Sequence, residues 1–219
     1  MPPKKKILIA IDGSKSSMDA VEYSSGFFNP EVFEITLMHI MDNMPDAGED
    51  PRSDKSLDAA NIATDAWYQK MTDQIQKKIK GYVNQFENAG YDKQTLNVII
   101  RKQIKGVAND IIAESEQGYD ALVIGRRGLN DPTSIMVGAT AYRMMKAINH
   151  LPVVIVGDNP DPENILIGLD GSDNSFKAID CVCNLMPRSS RKILLCHISE
   201  KQEIEKQHQQ IESIIQNAE

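Results

Sequence analysis

Residues 121–141 read ALVIGRRGLNDPTSIMVGATA, and the fold turns on how that stretch is parsed. It opens with four apolar residues, 121–124, too short for a helix and suited to a buried strand. Gly125 and Gly128 follow at once, then a polar loop holding Asn130, Asp131 and Pro132. Gly138 comes next, and the residues behind it, 139–148, read as a helix. The order is therefore strand, glycine turn, loop, glycine, helix. A glycine lets backbone amides approach a ligand closely. Amides in the first turn of a helix lack an intrahelical partner and favour an anion. The segment has the parts of a phosphate cradle, although a tight βα turn uses the same glycines with no ligand at all.

Working outward, apolar runs and helical segments alternate. Strands are expected at 6–11, 34–40, 96–101, 121–124 and 152–156, and helices near 17–28, 60–88, 108–116 and 139–149. Ser16, Ser17 or a neighbour is the expected cap of the first helix. Gly90 and Gly118 are expected to end the second and third. Strands that alternate with helices and carry no polar face imply a parallel sheet with right-handed crossovers, and so helices on both faces. Ligands of such sheets sit beyond the carboxyl ends of the strands, where strand order reverses. Asp12, Ile40 and Gly125 all fall at such ends.

With 219 residues, 41% of them hydrophobic, the chain can bury a substantial core. A net charge of -7 argues against general nucleic-acid binding. The basic run 4–6 is read as a solvated flank. The apolar run 7–11 is too short for a signal peptide, and no run approaches a membrane span. Three cysteines, Cys181, Cys183 and Cys196, suit reduced core thiols and a cytoplasmic location rather than disulfides or a metal pair.

The spacing Gly-x2-Gly-x9-Gly, the Asp ending the first strand (Asp12) and the His-apolar pair ending the second (His39, Ile40) together resemble the universal stress protein family. The resemblance covers residues 6–157. It implies an open five-stranded parallel sheet in the order 3-2-1-4-5. It also implies an adenine-nucleotide site, with ATP, with or without Mg, as the ligand. Carried over residue by residue, Ile11 and Asp12 lie near the ribose and the main chain at Ile40 meets the adenine. Gly125, Arg126, Arg127 and Gly128, with Gly138, Ala139 and Thr140, hold the phosphates. The position after the third glycine is normally Ser or Thr in the family, and here it is Ala139. The resemblance further implies a homodimer through the fifth strand, which opens at Pro152 and closes at Val156. It implies a stress-response role exercised through binding.

The chain also repeats itself. Ile7, Leu8, Ile9, Asp12, Gly13, Ser14, His39 and Ile40 recur 158 positions later as Ile165, Leu166, Ile167, Asp170, Gly171, Ser172, His197 and Ile198. A complete domain over 1–157, a linker over 158–164 and an incomplete second domain of the same kind over 165–219 are expected. The second supplies only β-α-β and a helix near 200–217, with Ile204, His208, Ile211 and Ile215 on one face. Such a half-domain leaves an open strand edge, a second candidate site for pairing with another chain.

Other readings stay open at this point. Asp12 suits a ribose hydroxyl or a metal ion, and equally a turn at a βα junction. His39 and His197 read as hydrogen-bonded core residues rather than catalysts, and Arg126 and Arg127 as solvent-facing side chains within reach of a phosphate. Met136, Met144 and Met145, and Trp67 with Tyr68, read as packing groups. The loop 41–59 is either a lid or an idle surface loop. No Gly-x4-Gly-Lys-Ser/Thr, Gly-x-Ser-x-Gly or His-Glu-x-x-His motif occurs, so catalysis beyond slow ATP hydrolysis is not expected. A family member that binds no nucleotide and acts as an interaction protein is the rival reading.

Overall fold

The computed structural model describes residues 3–43, 57–128, 137–158, 164–186 and 191–198, with side chains given from residue 65 onward in the second stretch. The chain divides into two compact units, Met1–Pro160 and Asp161–Glu219. The polar loop at Asn130, most of the loop 41–59, Met136 and the helix expected near 200–217 lie outside the described residues.

In the first unit the elements run β1 (Lys5–Ala10), α1 (Lys15–Phe27), β2 (Phe33–Met41), α2 (Leu57–Asn88), β3 (Leu96–Lys102), α3 (Val107–Ser115), β4 (Ala121–Gly125), α4 (Ala139–Ala147) and β5 (Val153–Val156). The sheet is parallel, in the order β3-β2-β1-β4-β5. Side chains on a strand alternate between faces. Leu8, Met38, Ile40, Leu122 and Ile124 pack under Ala108 and Ile111 of α3 and Ala141 and Met144 of α4. Ile7, Ile9, Ile35 and Leu37 are equally buried, and α1 and α2 pack against each other and against the sheet. The central strand β1 is thus covered on both sides, as its apolar sequence requires. The edge strand β3 is not: Val98 is exposed, because only one neighbour strand flanks it.

Local chemistry fixes the element ends. The hydroxyl of Ser14 accepts from the Ser17 amide at 3.1 Å and starts α1 two residues before the expected position. Gly90 and Gly118 take positive φ just past α2 and α3, where a side chain would be strained. Met144 is buried but Met145 is exposed, contrary to the packing role expected for both. Adjacent helix positions point about 100° apart, so the two cannot share one face.

The second unit holds β6 (Asn164–Leu169), α5 (Asp173–Leu185) and β7 (Lys192–His197), with β6 and β7 paired in parallel. Ile165 faces Ile193 and Ile167 faces Leu195, the register of Ile7 with Ile35 and Ile9 with Leu37 moved along by 158 residues. The core thiols expected here are not found: Cys183 is exposed, and Cys181 and Cys196 are only partly covered. Among the described residues of this unit a single helix covers a two-stranded sheet, which leaves little interior for them.

Candidate functional site

Asp12 stands two residues past the end of β1, on backbone that still follows the sheet, since the Ile11 amide donates to the Met38 carbonyl at 2.8 Å. One Asp12 oxygen, Oδ1, accepts from the Ser14 amide at 2.9 Å and closes an Asx turn. Gly13 takes φ +79° within it, and its amide donates to the Ser17 hydroxyl at 3.1 Å. That hydroxyl in turn donates to the Ser14 carbonyl at 3.0 Å. The turn is therefore held from both sides, and Oδ2 is the oxygen directed elsewhere.

Where it goes is set by β4. A Cβ added to Gly128 would come within 3.1 Å of Asp12 Oδ2, so Gly128 lies directly against the carboxylate. Gly125 is pressed harder still: a Cβ there would fall 2.7 Å from the Ser16 carbonyl carbon and oxygen, at the first turn of α1. The Gly138 amide donates to the Arg126 carbonyl at 2.9 Å, and its Cα side meets Arg127 and Gly128. Gly138 is also the cap position of α4, and having no side chain it supplies no acceptor to the amides of the first turn. Ala139 and Thr140 follow it and are exposed. Asp12, Gly125, Gly128 and Gly138 thus converge, although they span most of the first unit in sequence. Ile40 is at the same end of the sheet, but its side chain is buried under α3 and its backbone is registered opposite Arg101 of β3.

His39 donates from Nδ1 to the Ile11 carbonyl at 2.8 Å. A carbonyl can only accept, so Nδ1 carries the proton and the neutral ring keeps Nε2 as an acceptor. Burial pushes its pKa below the ordinary histidine range, and the carbonyl and the charges of Asp12 and Asp42 only partly offset that. His197 repeats the bond, to the Leu169 carbonyl at 2.7 Å. Both rings are strand-end fasteners.

Arg126 and Arg127 are not the solvent-facing side chains expected: 24% and 15% of their side-chain surface is exposed. Both guanidinia converge on the Asp158 carboxylate, Arg126 at 2.7 Å. Gly125 of β4 is registered with Val156 of β5, so the residues just beyond each strand come side by side. The Arg126 amide donates to the Val156 carbonyl at 2.9 Å and fixes the juxtaposition. Desolvation alone would raise the Asp158 pKa, but hydrogen bonds and charge from the two arginines leave it below the usual carboxylate value.

Two further groups reach the site from α2, and the sequence pattern does not single them out. Lys78 Nζ donates to the Gly13 carbonyl at 3.2 Å. Tyr82, one turn further on, is buried beside Ser17 and Asp12, and burial raises its pKa. Their i, i+4 spacing puts them on one helix face, which was the only available signal. Asp158 had a better one, since it sits just past a strand end on the same rim as Gly125.

The second unit repeats the turn. Asp170 Oδ1 accepts from the Ser172 amide at 2.9 Å, and Gly171 takes φ +78°. The Ser172 hydroxyl, foremost among the groups bonded to it, holds the Asp170 pKa down. Beside it opens a cavity of about 620 Å³ between Gly168, Asp170, Asn174 and Ile198. No glycine turn faces Asp170 among the described residues of this unit. Nor do the described residues gather three His, Cys, Asp or Glu side chains that could hold a metal ion, or form a helix long and apolar enough to cross a membrane.

The model of the universal stress protein family matches residues 4–157. Among solved structures, the chain is similar to a universal stress protein from Archaeoglobus fulgidus DSM 4304, with 17% identity and a TM-score of 0.67 over 97% of this chain and 74% of that one. It is also similar to hypothetical protein MJ0577, with 20% identity and a TM-score of 0.55 over 72% of this chain and 98% of that one. A universal stress protein solved in complex with cAMP matches more loosely, with 14% identity and a TM-score of 0.46 over 70% of this chain and 97% of that one. None of the curated proteins matches.

Proposed function

The chain belongs to the universal stress protein family, and from that premise we propose that it binds an adenine nucleotide, ATP with or without Mg, at the crevice between β1 and β4. One observation carries the reading. Gly128 lies against Asp12 Oδ2, and the Gly138 amide is hydrogen-bonded to the Arg126 carbonyl in the turn that Gly125 and Gly128 bracket. A carboxylate that accepts ribose hydroxyls therefore stands beside backbone able to approach a phosphate closely. In this reading Ile11 and Asp12 border the ribose, and the main chain at Ile40 borders the adenine. Gly125, Gly128, Gly138, Ala139 and Thr140 cradle the phosphates, and Arg126 and Arg127 add charge. No residue is assigned to catalysis, and ATP hydrolysis, if any, is slow.

The protein then acts by binding, as a cytoplasmic stress-response sensor or regulator whose ligand shifts its association with partners. The sheet order leaves β5 at an edge, which supports a dimer through it. The second unit, read as an incomplete second family domain, is the other candidate contact, supported by its repeated turn and strand register.

The rival reading is a family member that binds partners but no nucleotide. Ala139 favours it, because it withholds the hydroxyl that the position after the third glycine normally offers. Titration of the purified full chain with ATP separates the two. Binding is expected, and Asp12→Ala is expected to weaken it about tenfold (~1.4 kcal/mol). A Gly128→Val chain that binds ATP as well as the parent sinks the cradle, because a branched side chain there crowds the Asp12 carboxylate and covers the backbone meant to meet phosphate.

A further inference from the structure

The arginine pair inside the glycine turn is already engaged by an anion of the protein's own. Arg126 and Arg127 contribute backbone to the turn on which Gly138 rests, yet both guanidinia are drawn to Asp158, just beyond β5. Asp158 carries one charge between two cations, and Lys15 at the start of α1 is close enough to feel both Asp158 and Arg127. Lys15 itself is paired with Asp19 at 2.9 Å, so the net positive charge left at this spot is that of two arginines against one Asp158 carboxylate. A guanidinium binds a phosphate through the same paired hydrogen bonds it gives a carboxylate. A triphosphate carries several negative charges where Asp158 carries one, so it competes for the pair far better than a monophosphate does.

Resting on the nucleotide reading above, we infer that Asp158 is a built-in competitor for the phosphate chain, and that the site selects adenine nucleotides by their number of phosphates. Adenosine and AMP leave the Asp158 contacts closed. ATP draws at least one arginine from Asp158 onto its terminal phosphates. The price of opening the ion pairs falls on every nucleotide that uses the arginines and on none that does not.

The test is calorimetric titration of the full chain and of Asp158→Asn with adenosine, AMP and ATP. The amide keeps the shape of the side chain and removes its charge. Asp158→Asn is expected to bind ATP about tenfold more tightly (~1.4 kcal/mol) and adenosine within about twofold of the parent. The gain should shrink at high salt, where charge–charge terms are screened. Adding Arg127→Gln to Asp158→Asn should cancel it, and Arg126→Gln with Arg127→Gln in the parent should reduce the preference for ATP over adenosine to what the backbone cradle alone supplies. Should Asp158→Asn leave ATP affinity unchanged or weaken it while adenosine binds as before, Asp158 orients the arginines rather than competing for them, and the inference is overturned with the nucleotide reading intact. If neither chain binds adenosine or ATP, the nucleotide reading fails and takes this inference with it.

Discussion

His39 concentrates much of the site's logic in one ring. Its Nδ1 proton is committed to the Ile11 carbonyl, and the ring is buried beside Asp12 and Lys78. Because its pKa in the folded chain is depressed, the folded state disfavours the protonated ring. The stabilising contribution is complete above the ordinary histidine pKa of about 6.5 and is lost as pH falls through the lower folded value. The parent should therefore lose more stability between pH 7 and pH 5 than His39→Asn does, read from urea melts across that range. Equal losses would mean that the ring is not held neutral. Part of this was legible beforehand: a His inside an apolar strand end reads as a hydrogen-bonded core residue, and it is one. The arginines were misjudged. Their charge suggests water, whereas their position beyond β4 puts them against whatever follows β5, and that is a carboxylate. Sequence spacing alone does not pair residues 126–127 with 158; strand order does.

Between elements, the tightest joint is that of β4 with α1. Gly125 leaves no space for a methyl group against the Ser16 backbone, which cannot swing aside as a flexible side chain would. Gly125→Ala should force the strand end and helix apart and cost about 1–3 kcal/mol, measured by denaturant unfolding. A change below about 0.5 kcal/mol would show that the joint yields freely. The same substitution should widen the gap between Asp12 and Gly128 and weaken any ligand held there. The helix-ending Gly90 and Gly118 were readable because their positive φ suits few other residues. The reach of α2 over the turn was not. Its buried stripe, Ile75, Ile79, Tyr82 and Phe86, follows from helical periodicity. Which exposed cation beside that stripe meets Gly13 depends on how the helix is laid across the sheet.

At the scale of the whole molecule, the described residues of the two units differ in how far the same β-α-β segment is covered. Leu8 is fully buried in the first unit, while its counterpart Leu166 is 65% exposed. Leu194 is 65% exposed where Thr36 is 5%. The difference is the cover that β4, α3 and α4 give the first sheet. If that bare face drives self-association, Leu166→Lys should lower the apparent mass seen by light scattering at high protein concentration. An unchanged mass would place the contact elsewhere or nowhere. The strand pairings also carry a schedule. Ile7 meets Ile35 after 28 residues, but it meets Ala121 only after 114. Contacts that close short loops form quickly, and a chain leaving the ribosome makes them in order of appearance. The Asp12 turn and its histidine fastener can therefore assemble while most of the polypeptide is still unmade. The opposing wall arrives only with residue 125 and beyond, so a nascent chain passes a long interval in which no nucleotide can help it fold.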